Sequence, residues 1–585
     1  MFLFCIFVKM DLAWKYFPLD QEQKAAVAHL AAEARLLPSV VEVIMKRGIQ
    51  DIESLNHYLS PSLKDLYDPF LMTGMDAAVN RLNKAIGNKE KILVYGDYDV
   101  DGITAVTLVY KYLRYITTNI DYYIPDRYEE GSGISKRAID FAHDEGVTLM
   151  IALDCGIKAN DMVAYAKGLN IDIIICDHHV PDADLPEAVA NLNPKLPGSR
   201  YPFKELSGCG VGYKLMQAFG NSNGTEPRML DNMLDLVAIS IAADLVPLVG
   251  ENRILAHFGL KKLNHRPSVG LRGIINVSGL QSKQIDMSDI IFKIGPRINA
   301  SGRVQSGRES VDLLLTRDAK EAKVMSHHID EYNNQRRLID HSITQEANEI
   351  VESFTDMEDR KIIIVYDPSW HNGVIGIVAS RLSERYNRPT IVLTDTHDDM
   401  INGSARSVMG YDIHTVLEAN KDILENFGGH PFAAGFTIQK RHLHQFIQSA
   451  TAIVDQDLTV EDLQPKHDID LPLELADINS TLRRQLRRMA PYGPGNEKPL
   501  FSTRGVVSVT PPRLMGYKKS HLRLMISMPN EMPIYQAVAY NQADLLPLIA
   551  KGKPFDILYY IEESQWQGRY MVQLNIRDIH IVDGE

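Results

Sequence analysis

The stretch GDYDVDG, residues 96–102, follows the apolar run 91–95, which predicts a buried strand that ends in a turn. Its carboxylates, Asp97, Asp99 and Asp101, occupy alternate positions, so an extended or tightly turned backbone directs them toward one side. Like charges at this spacing raise one another's pKa unless a cation neutralises them, and hard divalent cations prefer oxygen ligands. The stretch therefore predicts a metal site. The alternatives are a solvated turn and an N-cap for the helix that follows.

Three later apolar runs are also followed directly by side chains that can bind a metal, namely aspartates and histidines. Runs 149–153, 171–176 and 235–243 are followed by Asp154, by Asp177-His178-His179 and by Asp244, respectively. The last run is either a strand or a helix. Parallel α/β sheets collect ligands at the carboxyl ends of their strands, so we expect these groups to meet. Several oxygens and two imidazoles favour Mn²⁺ or Mg²⁺ over a sulfur-rich zinc site. Unrelated N-caps and a core histidine would not explain so many coordinated placements.

The same stretches carry a resemblance to a known family. DYDVDG (97–102), DCG (154–156), DHH (177–179) and AAD (242–244) resemble motifs one to four of the DHH phosphoesterase superfamily. The similarity extends through IPDR (124–127), GPRINASGR (295–303), WHNGVIGIVASRL (370–382), GSARS (403–407) and GGHPFAAGF (428–436). Together these motifs are similar to those of the RecJ family of bacterial single-strand-specific DNA exonucleases. The resemblance covers about residues 70–585.

This resemblance implies an architecture and an activity. The implied fold is α/β, with two α/β lobes (DHH and DHHA1) joined by a long helix, followed by a C-terminal β-barrel of the OB-fold type. The implied activity is metal-dependent hydrolysis of single-stranded DNA from the 5′ end, which releases 5′-mononucleotides during DNA repair and recombination. Single-stranded DNA, a helicase and a single-strand-binding protein are the implied partners, and we expect a monomer.

The resemblance also assigns roles around two Mn²⁺ or Mg²⁺ ions. The implied metal ligands are Asp99, Asp101, Asp154, His178 and Asp244. Asp154 would bridge the two ions, His179 would face the phosphate, and Asp97 would orient a neighbouring group. One position departs from the family pattern, because Tyr95 stands where a histidine ligand is common. A phenol is a poor ligand at neutral pH, so we expect the first metal to rely more on water.

The basic and glycine-rich motifs predict contacts to phosphate. The predicted substrate-binding residues are Arg127, Arg297, Asn299, Arg303, Ser404, Arg406, Gly428, Gly429 and His430. A guanidinium with a hydroxyl and exposed backbone amides makes a good phosphate cradle. For any single arginine, the alternative is a surface ion pair. The segment 483–488 holds four arginines and is either a strand-binding groove or a solvated face.

Length and composition indicate an ordinary globular protein of several domains. The 585 residues are 45% hydrophobic and 23% charged. The net charge of −13 argues against nucleic-acid binding through bulk charge, but it does not exclude a local basic groove. The cysteines are Cys5, Cys155, Cys176 and Cys209, and no pair has metal-ligand spacing. A disulfide framework is therefore not expected, which fits the cytoplasm.

The organisation along the chain predicts five segments. They are an N-terminal cap (1–75), the DHH catalytic domain (76–315), a connecting long helix (316–354), the DHHA1 domain (355–455) and the OB-fold domain (456–585). The connecting segment lacks Gly and Pro, so it is one long helix or two helices with an unmarked break. The apolar stretch 1–10 is too short for a signal peptide or a membrane span, and Met10 is an alternative start. No membrane span is predicted.

Two other functions fit parts of the sequence. The first is a DHH phosphoesterase that acts on a small substrate, such as an oligoribonucleotide, a cyclic dinucleotide or pyrophosphate. The length and the predicted barrel count against it. The second is a catalytically silent replication scaffold that has lost its metal ligands. The acidic set is intact apart from the Tyr95 position, which counts against this function.

Overall fold

The computed structural model describes residues 13–304, 306–566 and 569–581. The described residues form two compact units. The larger unit comprises residues 14–295, 311–319 and 467–581, and the smaller unit comprises 296–310 and 320–466. Across the described residues, we find no helix that is both long and apolar enough to cross a membrane. Cys5 and the alternative start at Met10 lie outside the described residues.

Strands and helices alternate through most of the chain. The strands are β1 (Ala13–Tyr16), β2 (Lys91–Gly96), β3 (Ile120–Tyr123), β4 (Val147–Leu153), β5 (Asp172–Cys176), β6 (Ala190–Leu192), β7 (Ile363–Tyr366), β8 (Thr390–Asp395), β9 (Met400–Arg406), β10 (Leu424–His430), β11 (Ala433–Gln439), β12 (Lys466–Ile469), β13 (Leu471–Pro472), β14 (Phe501–Ser508), β15 (Arg513–Met515), β16 (His521–Ser527), β17 (Tyr535–Ala539), β18 (Phe555–Trp566) and β19 (Arg569–Ile581). The helices are α1 (Gln21–Ala34), α2 (Pro38–Met45), α3 (Ile52–Leu59), α4 (Met75–Gly87), α5 (Val100–Leu113), α6 (Lys136–Asp144), α7 (Asn160–Gly168), α8 (Gly208–Asn223), α9 (Pro227–Asp231), α10 (Leu234–Ala243), α11 (Gly250–His265), α12 (Val269–Val277), α13 (Met287–Asp289), α14 (Gly295–Val304), α15 (Arg308–Leu315), α16 (Ala319–Glu352), α17 (Asn372–Tyr386), α18 (His414–Glu418), α19 (Leu443–Asp457), α20 (Ser480–Arg488) and α21 (Leu546–Ile549).

The larger unit contains a five-stranded parallel sheet with the order β3-β2-β4-β5-β6. Its central strands are apolar on both faces, as expected for a parallel sheet covered by helices on both sides. Helices α6 and α7 share a core with one face. Helices α5, α8 and α10 pack against one another. The carboxyl ends of β2, β4 and β5 therefore meet at one edge of the sheet, where the predicted ligands begin.

The smaller unit contains a five-stranded mixed sheet with the order β10-β11-β9-β8-β7. In this sheet β7 and β8 run parallel, and the other neighbours are antiparallel. One apolar core lies between this sheet and α18 and α19, whereas a second core joins β7, α17 and the C-terminal part of α16. Helix α16 is a single unbroken helix of 34 residues, which excludes the alternative of two helices.

The C-terminal β-rich region forms a seven-stranded sheet in the order β13-β14-β18-β19-β17-β16-β15. An additional pairing between β14 and β16 links strands from the two sides of this sheet. Its core is shared with helices near the N-terminus, because Val40 and Ile44 of α2 pack in the same cluster as Phe555 of β18. The N-terminal helices and the β-rich region therefore fold around one core. A hydrogen bond also joins them, because Leu37 N donates to the side chain of Gln485, more than 400 positions later in the chain.

The predicted fold class is confirmed: two α/β lobes, a long helix and a C-terminal β-rich region are all present. Several element ends differ from the prediction by a few residues. Helix α5 begins at Val100 because the Asp99 side chain caps it there. The run 235–243, left open as strand or helix, lies within α10.

Candidate metal centre and phosphate-binding cluster

Hydrogen bonds hold the acidic turn between β2 and α5. Asp99 Oδ1 accepts a hydrogen bond from Gly102 N at 3.0 Å, which makes Asp99 the N-cap of α5. Asp97 accepts hydrogen bonds from Tyr98 N at 2.6 Å and from Ser132 Oγ at 2.5 Å. A Cβ on Gly102 would collide with the backbone oxygen of Asp97, so this turn requires glycine. An N-cap uses one carboxylate oxygen, so capping and metal binding by Asp99 do not exclude each other.

Asp101 lies at the N-terminus of α8. Its two carboxylate oxygens accept hydrogen bonds from Gly208 N and Cys209 N, each at 2.7 Å, and one also accepts from Ser240 Oγ at 2.7 Å. Backbone N–H groups at a helix N-terminus favour a negative charge, so this arrangement fixes the carboxylate in one orientation. A Cβ on Gly208 would collide with the carboxylate of Asp154. Glycine at this position therefore lets two carboxylates approach the same point.

Asp154 and His178 form the centre of the cluster. Asp154 follows β4 with φ of 60°, a left-handed conformation that Asp tolerates better than most residues. His178 Nε2 lies 3.2 Å from Asp154 Oδ1, 3.6 Å from Asp244 Oδ2 and 3.9 Å from Asp101 Oδ2. Asp154 Oδ1 is buried, and it accepts no hydrogen bond from the described residues. A buried acceptor without a donor is what a cation-binding site requires.

The ligand atoms fall into two overlapping groups. Asp154, His178 and His179 offer ligand atoms that all lie within 4.8 Å of one another, and Asp101, His178 and Asp244 offer a second such group. The donors are carboxylate oxygens and imidazole nitrogens without a cysteine, which suits Mn²⁺ or Mg²⁺. The structure therefore brings together four of the five predicted ligands in these groups, and the fifth, Asp99, caps the adjacent helix.

Asp177 was expected among the groups that meet at this edge of the sheet, but it was given no specific role in the site. One of its oxygens accepts hydrogen bonds from His178 N at 2.7 Å, His179 N at 3.1 Å and His179 Nδ1 at 2.7 Å. The other accepts from Ile157 N at 3.0 Å. Asp177 therefore holds the backbone of both histidines and orients the imidazole of His179. Its position directly before the two histidines in DHH was the available signal.

The pKa values of the histidine pair reflect this arrangement. Burial alone would raise the pKa of Asp177, but the hydrogen bond from His179 and the charges of both imidazoles hold it below its usual range. Burial lowers the pKa of His179, but its hydrogen bond to Asp177 outweighs that effect and raises the pKa to about 9. His179 is therefore cationic at neutral pH.

The described cationic groups of the protein do not neutralise the carboxylates of this centre, so the pKa values of these carboxylates are raised. Burial first, and then the charge of Asp99, raise the pKa of Asp97 to about 7 and that of Asp101 to about 6. Burial and neighbouring carboxylates also raise the pKa values of Asp154 and Asp244 well above the usual range. Divalent cations would remove this penalty by neutralising the carboxylates. The residues present therefore fit the predicted metal ions.

Tyr95 does not act as an extra ligand in this arrangement. Its side chain is fully buried, and its hydroxyl donates to the backbone oxygen of Gly133 at 2.5 Å. Its ring stacks on that of Tyr123, with the ring centroids 6.0 Å apart. Tyr95 thus fastens the loop after Arg127 to the sheet, in line with the expectation that a phenol would not bind the metal.

A second cluster lies in the smaller unit, where α17 meets β9. Arg406 donates from Nε to Ser380 Oγ at 3.1 Å and from Nη1 to Ser404 Oγ at 3.1 Å. Gly376 of α17 faces the same two residues, because a Cβ there would lie 2.9 Å from Arg406 Nη2 and 3.0 Å from Ser404 Oγ. Two predicted substrate-binding residues are therefore held together against a helix that approaches closely only because it carries glycine.

The sheet register places the GGH motif beside these residues. Arg406 pairs with Ala433, and Ala433 pairs with His430, whereas Ser404 and Gly428 both pair with Gly435. Paired residues of neighbouring strands project to the same face of a sheet. Gly428, Gly429 and His430 are exposed, and Gly429 has φ of 141°, which strongly favours glycine. Gly428, Gly429 and His430 therefore lie on β10, which is separated from β9, the strand of Arg406, by β11 alone.

The GPRINASGR motif forms α14, and its predicted residues have different contacts. Arg303 donates to the backbone oxygen of Gly373, near the start of α17. Arg297 Nε lies 2.8 Å from Asp330 Oδ1 on α16, which is the ion pair foreseen as the alternative for a single arginine. Asn299 Oδ1 is buried and accepts no hydrogen bond from the residues that the structure describes. All three remain predicted substrate-binding residues.

The remaining predicted basic residues lie in the larger unit. The guanidinium of Arg127 lies over the ring of Tyr98, 4.7 Å from the ring centroid. In the arginine-rich segment, Arg483 and Arg487 lie 2.6 and 3.2 Å from the two carboxylate oxygens of Glu563. This pairing places half of that segment in an ion-pair network, whereas the other two arginines are exposed.

Together, the fold and the metal centre define a phosphoesterase of the DHH class. Three family models match the chain: "DHH family, N-terminal domain" at residues 91–241, "DHHA1 domain" at 359–456 and "RecJ OB domain" at 469–578. The chain belongs to the RecJ family, since similar relatives match nearly all of it at more than 30% identity.

Two curated relatives and one solved structure illustrate this membership. The single-stranded-DNA-specific exonuclease RecJ of Bacillus subtilis is 36% identical over 97% of this chain and 70% of that protein. The enzyme of the same name from Salmonella typhimurium is 32% identical over 96% of this chain and 98% of that protein. The crystal structure of RecJ from Thermus thermophilus in complex with Mn²⁺ matches with a TM-score of 0.83 and 25% identity, covering 98% of this chain and 80% of that one.

Proposed function

We propose that this protein is a metal-dependent exonuclease that hydrolyses single-stranded DNA from the 5′ end and releases 5′-mononucleotides. One observation carries the proposal: carboxylates and an imidazole from separate strands and helices converge, and Asp154 Oδ1 lacks a hydrogen-bond donor among the described residues. The relatives named above act on single-stranded DNA, and the structure of one RecJ was solved with Mn²⁺. The alternatives of a small-substrate phosphoesterase and a silent scaffold have no comparable support.

Two Mn²⁺ or Mg²⁺ ions would lower the pKa of a water molecule and offset the negative charge that grows on the phosphoryl oxygens. We propose that Asp101, His178 and Asp244 hold one ion, that Asp99 contributes to the other, and that Asp154 bridges the two. The backbone amides at the start of α8 hold Asp101 in place. The ligand positions are therefore largely set before any substrate arrives.

The protein's own contribution to the chemical step comes from His179 and Asp177. Asp177 accepts the hydrogen bond of His179 Nδ1 at 2.7 Å, so the Nε2–H of the imidazolium is directed away from Asp177. We propose that this N–H donates to a phosphate oxygen or to the leaving oxygen. Asp97, held by Ser132, would keep the acidic turn in place.

We further propose that Arg406 and Ser404 hold the 5′-terminal phosphate. A guanidinium fixed by two serine hydroxyls is a preorganised phosphate ligand, and the exposed glycines of β10 leave room for a nucleotide on the same face. The other predicted substrate-binding side chains are proposed to contact the strand at other points; they are Arg127, Arg297, Asn299, Arg303 and His430. We also propose that the protein is a cytoplasmic monomer and that it works with a helicase and a single-strand-binding protein. The five segments predicted from the sequence are kept as its proposed domains.

One digestion experiment tests the proposed function. The same single strand is labelled either at its 5′ end or at its 3′ end, and each form is incubated with Mn²⁺ beside a blunt duplex. We expect the 5′ label to appear at once as a mononucleotide, the 3′-labelled strand to shorten progressively, and the duplex to persist. Asp154→Asn protein, purified in parallel, controls for contaminating nucleases. Release of the 3′ label first would contradict the proposed polarity, and equal digestion of the duplex would contradict the strand specificity.

A further inference from the structure

The long helix α16 has a buried face whose residues are small or apolar at both ends and polar in the middle. Positions three or four residues apart along one face are buried or partly buried, as in an amphipathic helix. They are Ala322, Ser326, Ile329, Asn333, Arg336, Asp340, Ile343, Ala347 and Val351. Both ends of this face are small or apolar, whereas Asn333, Arg336 and Asp340 in the middle are polar. Three consecutive polar positions on a buried face require partners or a ligand.

The charges around this polar middle do not balance. Asp340 is fully buried and lies 2.8 Å from Arg381 Nη2 of α17. Asp330 lies 2.8 Å from Arg297 Nε of α14. Both carboxylates are thus engaged by other arginines. Arg336 is the third guanidinium of the group, and within the part of the chain that the structure describes its side chain has no ion pair or hydrogen bond.

Arg336 is also partly withdrawn from water. Its Nε is buried and unpartnered among the described residues. Burial lowers the pKa of Arg336, and the nearby charges of Arg381, Arg337 and Arg297 lower it further against the opposing effect of Asp340. A half-buried cation beside other cations is unfavourable unless an anion binds to it.

Asn333 adds a second unsatisfied group on the same face. It lies one turn before Arg336, its side chain is only 2% exposed, and its Oδ1 accepts no hydrogen bond from the described residues. A buried amide of this kind is ordinarily satisfied by a water molecule or by a ligand. A cation and an amide that both lack partners in the described part of the chain therefore indicate a binding position and not a packed interior.

The location of this position suggests what binds there. Adjacent residues of α17 contact the two clusters, because Ser380 bonds to Arg406 and Arg381 pairs with Asp340 on α16. Arg336, which lacks a partner among the described residues, therefore lies on the face of α16 that meets α17, the helix that also contacts the cluster proposed for the terminal phosphate. A planar guanidinium matches the oxygens of a phosphate, and a DNA strand carries phosphates at regular intervals.

We propose that Arg336, with Asn333 beside it, binds an internal phosphate of the DNA strand, distinct from the 5′-terminal phosphate proposed for Arg406. This inference rests on the proposed function, because the occupant is a phosphate of the same substrate. Arg336 is then a substrate-binding residue that acts without regard to base sequence. The charge that is unfavourable in the free protein becomes paired when the strand enters.

The test measures binding without hydrolysis. Wild type, Arg336→Gln and Arg336→Lys are titrated with a fluorescent oligothymidylate in EDTA, at several salt concentrations, with the strand carrying either a 5′-hydroxyl or a 5′-phosphate. The matched control is Arg337→Gln, which removes an exposed arginine at the next position of the same helix. We expect Arg336→Gln to weaken binding about tenfold on both strands and to reduce the slope of log K against log salt by about 0.7. Arg336→Lys should retain most of the slope, and Arg337→Gln should bind like wild type.

Thermal unfolding separates this role from a structural one. Because Arg336 has no ion pair or hydrogen bond among the described residues, the melting temperature of Arg336→Gln should equal or exceed that of wild type. Arg381→Gln leaves the buried Asp340 unpaired and should melt at a lower temperature. An unchanged affinity and slope, a loss seen only with the 5′-phosphate, or a failure of Arg336→Gln to fold would each overturn the inference. A wild-type protein that binds no single strand would instead contradict the proposed function.

Discussion

The two units of this protein carry opposite charge excesses at their functional clusters. In the larger unit, buried carboxylates converge on His178, and their mutual repulsion raises their pKa values. In the smaller unit, arginines on α14, α16, α17 and β9 outnumber the carboxylates beside them, and Arg336 has no partner among the described residues. One cluster lacks cations and the other lacks anions.

This difference is informative because the proposed ligands would supply the missing charges. Divalent ions would complete the acidic cluster, and the phosphates of a strand would complete the basic one. Each cluster is unfavourable by itself in the free protein, as expected for groups preorganised for a ligand and not for stability. A net charge of −13 over the whole chain conceals this division.

The largest expected effect comes from removing a carboxylate from the acidic cluster. Asp154→Asn keeps the size of the side chain, and Asn also tolerates the left-handed backbone at this position. We expect turnover on single strands with Mn²⁺ to fall roughly a thousandfold or more, because the proposed bridging ligand is lost. The rise in melting temperature that Mn²⁺ produces in wild type should disappear as well.

The same variant should not be less stable than wild type in EDTA, because it removes a buried charge with few compensating partners. Asp161→Asn, which changes an exposed carboxylate in the first turn of α7, is the matched control and should behave like wild type. Substantial turnover by Asp154→Asn would show that the acidic cluster is not the metal centre.

A smaller effect is expected from the basic cluster, and it should depend on the substrate end. Arg406→Gln removes a charge-assisted contact that contributes roughly 1.5–3 kcal/mol, so cleavage should slow by about tenfold to a hundredfold. The loss should be confined to strands with a 5′-phosphate and should be slight with a 5′-hydroxyl. Initial rates on both substrates measure this, with Arg385→Gln on the exposed side of α17 as the control. Equal fractional losses on the two substrates would mean that Arg406 does not recognise the terminal phosphate.

The smallest effect is expected from a residue that positions Arg406. Ser380 Oγ accepts from Arg406 Nε at 3.1 Å and donates to Gly376 O at 3.1 Å. Ser380→Ala removes a bond that positions the guanidinium and not the proposed phosphate contact itself, so it should reduce kcat/KM on 5′-phosphorylated strands only about twofold to tenfold. Ser383→Ala, on the same helix, removes a hydroxyl that instead bonds to Ser407 O, and it should leave this preference intact. The idea fails if Ser380→Ala affects both kinds of strand equally, or if Ser383→Ala reproduces its effect.

The acidic cluster was largely predictable from the sequence, and the basic cluster was predictable only in part. Asp154 and His178 follow apolar strands, and the topology of a parallel sheet brings such positions together. Asp244 also follows an apolar run, but that run is helix α10, and its packing against α5 and α8 was not predictable from the run. Arg406 and Ser404 were identified through their motif. By contrast, Arg336 lies in a long polar helix, where an arginine has no local feature that distinguishes it from a solvated one.

Contacts between segments that are distant in the sequence could not be predicted from local sequence patterns. Arg253 is buried and donates to the backbone oxygens of Tyr58 and Met489, which come from opposite ends of the chain. The sequence predicted a small N-terminal cap and a C-terminal β-rich region. It carried no sign that these two regions share one core. Such a pairing depends on which apolar faces meet, and many pairings of faces satisfy the same periodicity.

The sequence by itself determined the alternation of strands and helices and the residues at the strand ends, because periodicity, chain breakers and turn residues act over short distances. Only the tertiary structure decided that α16 is one unbroken helix, that Asp177 orients the imidazole of His179, that the start of α8 holds Asp101, and that Arg336 is left without a partner among the described residues. Each of these depends on how side chains from separate elements neutralise or satisfy one another once they are packed. That balance of charge and hydrogen bonds is a property of the folded arrangement and not of any single stretch of sequence.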